Sequence, residues 1–166
     1  VSGSRVGLGV DVHRFATGSG RPLVLGGVRV PNAAGLAGHS DADALAHALA
    51  DAMLGAAALG DLGDLFPDDD PRFRGADSLV LLRDVAERVR AAGFALVNAD
   101  CTVVAEKPHL APLREEMGRR LAEAAGGPVH VKATRPEGLG ALGRVEGIAC
   151  VAVALLGELP AGERTP

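Results

Sequence analysis

The sequence has no tryptophan, no tyrosine and only four phenylalanines in 166 residues, which removes nearly all the stacking platforms on which nucleic-acid bases are held. Positive charge is short as well. Seventeen Lys and Arg stand against 21 Asp and Glu, a net charge of −4, and Lys107 and Lys132 are the only lysines. No global field is available for a phosphate backbone, so nucleic acid is not expected as a partner. Cysteine is limited to Cys101 and Cys150. Each sits in a strand-like run, their spacing fits no metal knuckle, and both read as buried apolar thiols rather than a disulfide. The longest apolar stretch, Gly147–Leu156, is far short of the ~20 residues that a membrane-spanning helix needs, and no basic-then-apolar start resembles a secretion signal. No membrane association is expected, and the protein reads as cytoplasmic.

What remains is 48% hydrophobic and 23% charged, the composition of one domain able to bury roughly 70% of its unfolded surface. Residues 5–157 read as that domain. Residues 1–4, which lack an initiator Met, read as a disordered start or fusion remnant, and 158–166 as a frayed tail. Arg5–Val12 predicts a strand, and Leu23–Leu25, Gly26-Gly27 and Val28–Val30 predict a hairpin closed by a glycine pair. Pro31–Gly38 follows as a loop. Ser40 can cap a helix over Asp41–Ala57, and Asp77 a second over Ser78–Ala92 that stops at Gly93. Gly60–Gly75 between them reads as a loop. Val97–Ala105, Val129–Ala133 and Ile148–Leu156 predict strands, and Ala111–Ala125 a helix broken by Gly126-Gly127. Elements alternating in this way predict an α/β, α+β-like sandwich, with a mixed sheet covered by helices on one face.

The chemistry-bearing residues cluster. Asp11 and His13 lie two apart on a strand and so share a side. Asp43, His47 and Asp51 recur every four residues and form one polar stripe on the first helix, opposite Leu45, Leu49, Ala52 and Ala56. That stripe holds short Asp and His, which are mediocre helix formers, instead of the Lys, Glu and Arg of a wet face. Asp11, His13 and His47 together make a two-nitrogen, one-oxygen set that suits Zn²⁺ with its fourth position open. Gly60–Asp70 packs five carboxylates into eleven residues without the spacing of an EF-hand. It reads equally as a hydroxyl-binding loop or as solvated turn chemistry. His39-Ser40 stands just before a helix, where backbone N–H groups favour phosphate. Lys132–Gly140 combines cations, a hydroxyl, a carboxylate and glycines, and reads either as a phosphate and Mg²⁺ site or as a surface turn. His109 and His130 stay outside the metal site.

The order Asp11-Val12-His13, His39-Ser40-Asp41-Ala42-Asp43, His47-Ala48-Leu49, Gly60-Asp61-Leu62-Gly63 with Leu65-Phe66-Pro67-Asp68, and Gly143–Cys150 resembles the 2-C-methyl-D-erythritol 2,4-cyclodiphosphate synthase family. The resemblance spans about Arg5–Leu156. It implies cyclisation of 4-diphosphocytidyl-2-C-methyl-D-erythritol 2-phosphate with release of CMP, in the non-mevalonate route to isoprenoids. It also implies a homotrimer with active sites at subunit interfaces. By the same resemblance Asp11, His13 and His47 are the zinc ligands, and His39 and Ser40 are the pair that closes over the phosphates. Asp61, Leu62, Gly63, Phe66, Asp68 and Asp70 fall in the segment that holds the methylerythritol. The run Ala105–Ala111, with Ala105, Pro108, His109, Leu110 and Ala111 in contact, matches the cytidine pocket together with Ala133 and Thr134, and Glu137 matches the ligand of a second cation, Mg²⁺ or Mn²⁺. Ala141, Arg144 and Glu146 match the segment near the trimer axis.

Three positions depart from that family. Its usual Thr-Thr-Thr-Glu is Thr134-Arg135-Pro136-Glu137 here, so a guanidinium replaces the hydroxyl credited with stabilising the transition state. His109 stands where a Lys is common, and Ala141 where an aromatic is common. The implied mechanism is intramolecular phosphoryl transfer, assigned to His39, Arg135 and the two metals, with no protein nucleophile. Two rivals stand beside it. One is a zinc-dependent phosphate-ester hydrolase using Asp43 or Asp61 as base, and the other a non-catalytic, metal-stapled trimer that binds an isoprenoid.

Overall fold

The computed structural model describes residues 3–18, 20–67 and 69–160. Asp68, most of the predicted tail and residues 1 and 2 lie outside them. Among the described residues, six strands and five helices follow one another as β1 (Ser4–Arg14), β2 (Pro22–Leu25), β3 (Val28–Ala34), α1 (Ala44–Ala57), α2 (Leu62–Leu65), α3 (Ser78–Ala91), β4 (Phe94–Val104), α4 (Arg114–Ala125), β5 (Val129–Thr134), α5 (Gly140–Gly143) and β6 (Gly147–Glu158). The main sheet has the order β1-β6-β4-β5, with only the β4–β5 pair parallel, and β2–β3 is a separate hairpin. The α/β reading therefore holds: a mixed sheet with α1, α3 and α4 on one face. No helix among the described residues is long and apolar enough to cross a membrane.

Alternation along β1 sets how closely the layers approach. Gly7, Gly9, Asp11 and His13 face the helices, while Val6, Leu8, Val10 and Val12 face the other way and are 53–67% exposed. A Cβ on Gly9 would stand 1.9 Å from the Ala48 carbonyl oxygen, and one on Gly7 1.9 Å from that of Ala52. Strand and helix backbones thus touch directly, and α1 is buried along almost its whole length. Behind it, Cys101 and Cys150 are free and buried as expected, and burial, with Asp100 nearby, pushes the Cys101 thiol up to about 12.

Several boundaries differ from the sequence reading. Asp43 rather than Ser40 caps α1, accepting from Leu45 N (3.2 Å) and Ala46 N (3.0 Å). The same carboxylate accepts from Gly26 N (2.8 Å) and Gly27 N (2.6 Å) in the hairpin turn, where both glycines have positive φ, as a two-residue turn of this hand demands. Four N–H donors explain how a fully buried carboxyl is tolerated. Burial nevertheless raises its pKa, against the lowering by those donors. The Gly60–Gly75 loop contains α2, capped by Asp61, and a 3-10 turn at Pro71–Phe73, capped by Asp70. β3 continues to Ala34 in place of a loop from Pro31, and Ala111–Leu113 forms a 3-10 turn ahead of α4.

The backbone contact predicts opposite outcomes for two glycines. Gly9→Ala should cost at least about 1–3 kcal/mol by overpacking, read as a lower urea midpoint at unchanged slope. Gly55→Ala, on exposed α1 surface with open space at its Cβ, should stabilise by about 0.5–1 kcal/mol, read as a higher urea midpoint.

Candidate metal centre and its neighbouring pocket

The close β1–α1 contact brings His47 over the end of β1. Asp11 Oδ2 lies 3.0 Å from His13 Nε2 and 3.1 Å from His47 Nδ1, and among the described residues these three side chains form a cluster able to hold a metal. The outer nitrogens of both imidazoles are committed. His13 Nδ1 is 2.6 Å from the Ala37 carbonyl oxygen, which can only accept, so that nitrogen carries the proton. His47 Nε2 is 2.8 Å from Ser78 Oγ. Ser78 donates its own proton to the Asp41 carboxylate, so His47 Nε2 is the donor there. Two bare imidazole lone pairs consequently converge on one carboxylate oxygen. Acceptors this close repel unless a cation lies among them, which is the electrostatic condition of a divalent metal site. Burial raises the Asp11 pKa, and only with protons on the two ring nitrogens that face it would hydrogen bonds and charge from His13 and His47 hold it far below the usual carboxylate range.

The cluster opens into a cavity of about 260 Å³ lined also by Gly38, His39, Ser40, Asp51, Leu62, Gly63 and Phe66. Asp51, one turn beyond His47, accepts from Leu62 N (2.8 Å) and so anchors the start of α2 beside the metal ligands. Burial raises its pKa, and Asp61 and Asp11 add to the rise against the Leu62 N–H. The expected stripe of Asp43, His47 and Asp51 therefore splits into three jobs. Asp43 turns away to the hairpin, which removes it as a general base for a hydrolase. Ser40 Oγ is 3.3 Å from His47 Nε2 and accepts from Ala42 N, and His39 Nε2 is buried with no hydrogen-bond partner.

A second cavity, about 210 Å³, is lined by Ala105, Glu106, Pro108, His109, Leu110, Ala111, Arg114, Ala133, Thr134 and Arg135. It gathers the residues expected around cytidine, among them Glu106 of the Ala105–Ala111 run, and adds Arg114, which the sequence reading missed. Arg135 Nε donates to Glu106 Oε1 (3.0 Å), joined by Nη2, and Glu106 Oε2 accepts from Gly138 N (3.0 Å). These contacts lock the turn around Glu137, which is exposed at φ 52°. Cα partners run Asp11–Cys150–Val103–Ala133 across the sheet, so the two cavities lie about three strand spacings, or about 14 Å, apart.

The remaining expected residues line neither cavity. Asp61 accepts from Asp64 N, and Asp70 pairs with Arg72 (2.5 Å). Arg144 pairs with Glu146 (2.6 Å), and Ala141 is exposed in α5. Asp68 lies outside the described residues. His130 lies on the open face of β5, outside the metal cluster. The parts of Asp41 and Ser78 in holding His47 carried no signal in the sequence, because Ser78 opens α3, 31 residues beyond His47.

Comparison with known proteins agrees over nearly the whole chain. The 2-C-methyl-D-erythritol 2,4-cyclodiphosphate synthase of Syntrophobacter fumaroxidans is 57% identical over 155 residues, 92% of this chain and 96% of that one. Among solved structures, the bifunctional IspDF from Campylobacter jejuni superposes with a TM-score of 0.89 at 43% identity, over 94% of this chain and 42% of that one. IspF from Plasmodium falciparum in its CDP complex gives 0.82 at 28% identity, over 96% and 99%. The YgbB family matches residues 4–157, and the chain, carrying the fold and the Asp11–His13–His47 cluster described above, belongs to that family.

Proposed function

We propose that this protein is a 2-C-methyl-D-erythritol 2,4-cyclodiphosphate synthase. It cyclises 4-diphosphocytidyl-2-C-methyl-D-erythritol 2-phosphate and releases CMP in non-mevalonate isoprenoid biosynthesis, a phosphorus–oxygen lyase reaction. The observation that carries this reading is the convergence of two imidazole lone pairs on Asp11 inside a cavity bordered by His39, Ser40 and the acidic loop. Such a site suits a polyanion held through a metal. The substrate's own 2-phosphate oxygen attacks the β-phosphorus, the bond from that phosphorus to the α-phosphate oxygen breaks, and CMP leaves with the electron pair. No protein nucleophile is required.

Asp11, His13 and His47 are the proposed zinc ligands, and Glu137 the ligand of Mg²⁺ or Mn²⁺. Divalent cations there neutralise charge on the diphosphate. His39 and Ser40 hold phosphate oxygens. Leu62, Gly63 and Phe66 border the methylerythritol, and Asp61, Asp68 and Asp70 are assigned to it by the family resemblance alone. The second cavity holds cytidine, supported by the relative solved with CDP. On one chain the two cavities sit at opposite sheet edges, too far apart for one compact substrate. A cyclic assembly that sets the β1 edge of one chain beside the β5 edge of the next joins them. The open sheet face supplies the contact surface: Val6, Leu8, Val10 and Val12 stand beside Ala149, Val151, Val153 and Leu155, an apolar patch of the kind that marks interfaces. We therefore propose a homotrimer, with the segment around Ala141 and Arg144 near its axis.

Incubation with the cytidyl substrate, followed by phosphorus NMR, tests the reaction. The cyclic diphosphate and CMP are expected, whereas a linear phosphate would mark a hydrolase. Asp11→Ala, His13→Ala and His47→Ala should each lose bound zinc with the fold retained, because the ligands sit on elements packed independently of them. Metal analysis with circular dichroism checks this. Light scattering should give three subunits, and Val10→Asp should shift the protein toward monomers with loss of activity. Glu106 takes the Nε and Nη2 edge of Arg135 and leaves Nη1 for a phosphate oxygen. Arg135→Ala should then lower kcat by roughly a hundredfold with little change in KM, since the contact is made mainly in the transition state. An unchanged kcat would reduce Arg135 to a structural partner of Glu106.

A further inference from the structure

The polarity of the hydrogen bonds behind His47 is fixed by the group at their far end. Asp41 presents both carboxylate oxygens to Ser78: Oδ2 accepts from the Ser78 backbone N–H (3.1 Å) and Oδ1 from its hydroxyl. A carboxylate has no proton to give, so the single proton of the hydroxyl is spent on Asp41. Ser78 is 1% exposed, and its hydroxyl oxygen, 2.8 Å from His47 Nε2, can therefore only accept from the ring. Ser40 Oγ, at 3.3 Å from the same nitrogen, is the more distant neighbour.

This arrangement opposes a local pull. Asp11 Oδ2 lies 3.1 Å from His47 Nδ1 and by itself favours a proton on that nitrogen, which would blind it as a ligand. We propose that Ser78 and Asp41 are positioning residues of the metal centre, a carboxylate–hydroxyl relay that keeps the His47 proton on Nε2 and its Nδ1 lone pair toward the metal. The inference rests on the metal-dependent reading above. The relay is rigid because both members are tied by backbone. Ser78 is the first residue of α3, and Asp41 donates its own N–H to Ala76 O (3.0 Å) while Gly75 N–H reaches His39 O (2.8 Å). The segment bearing His39 and Ser40, the His47 ring and the start of α3 thus meet at one junction. Residues that orient a metal-bound imidazole in this way are typically worth 10–100-fold in metal affinity.

The test is zinc affinity of the intact protein by competition with a chelator, for wild type, Ser78→Ala and Asp41→Asn. Both variants should bind zinc 10–100-fold more weakly while keeping a cooperative urea transition. Asp41→Asn tests the same polarity without removing the hydroxyl, because its amide can no longer accept at both positions. The second readout is nitrogen NMR of histidine-labelled, zinc-loaded protein. Wild type should show a slowly exchanging proton on His47 Nε2, and Ser78→Ala should lose that protection, a signature that general loosening of α3 would not confine to one ring. Wild-type affinity together with a protected Nε2 proton in Ser78→Ala, or wild-type affinity in Asp41→Asn, would overturn the relay. A wild-type protein that takes up no zinc would overturn the metal reading itself, and the relay with it.

Discussion

Everything at the metal centre depends on the backbone-to-backbone contact between β1 and α1. Two strand residues advance about 6.8 Å and four helix residues 6.0 Å, so glycines two apart can meet alanines four apart nearly in step. Gly7 meets Ala52 and Gly9 meets Ala48. The helix runs opposite to the strand, and the next strand position, Asp11, arrives where α1 begins. There the strand regains side chains, Asp11 and then His13, and His47 stands one residue before the last contacting alanine. A side chain larger than hydrogen at Gly9 would lift the helix and carry its histidine off Asp11. The ligand distances are thus set by residues that have no side-chain chemistry of their own.

Carboxylates near this contact take different fates according to what surrounds them. Asp43 is completely buried but receives four N–H groups from two elements, so it serves the fold. Asp51 receives one and faces two other acids, which suits the wall of a cation-binding cavity. Asp11 receives no backbone N–H and faces two imidazole lone pairs, a configuration that only a proton or a metal relieves. Identity alone does not separate these roles, and the count and sign of neighbours does.

Much of this was legible in the chain because it depends on local pattern. The period-two alternation of β1, the glycine pair of the hairpin and the Asp77 cap of α3 are short-range signals, and each element appears where expected. Asp-x-His followed by a helical histidine also pointed to the ligand set. The misreading at the start of α1 has a physical cause. Ser40 and Asp43 are both good caps by type, and the choice falls to Asp43 because the Gly26-Gly27 turn, distant in sequence, supplies two further donors. The contacts of Glu106, within the expected Ala105–Ala111 run, went unread for the same kind of reason, since its partners Arg135 and Gly138 lie some thirty residues on. Ser78 and Asp41 show the limit most plainly, because nothing in either residue's neighbourhood indicates that Ser78 stands between Asp41 and a ring from α1.

The arrangement of the sheet explains why a chain of this size would act through copies of itself. β6 and β4 fill its centre with Cys150 and Val103, both fully buried, and so separate the metal cluster on β1 from the second cavity at β5. A single chain cannot move these half-sites together without breaking the ladders between them. The face away from the helices changes character along the same direction. It is aliphatic over β1 and β6 and polar over β4 and β5, where Lys132 pairs with Asp100. In the proposed trimer the aliphatic strands would crowd together on the axis, with the polar strands toward the outside. Closing three copies around such a gradient would bury the valines of β1 and bring each candidate metal cluster against a neighbour's second cavity. One surface then accounts for both the assembly and the completion of the site. The reaction needs only that: its nucleophile and leaving group belong to one substrate, and the protein's task is to hold the two ends at the right separation.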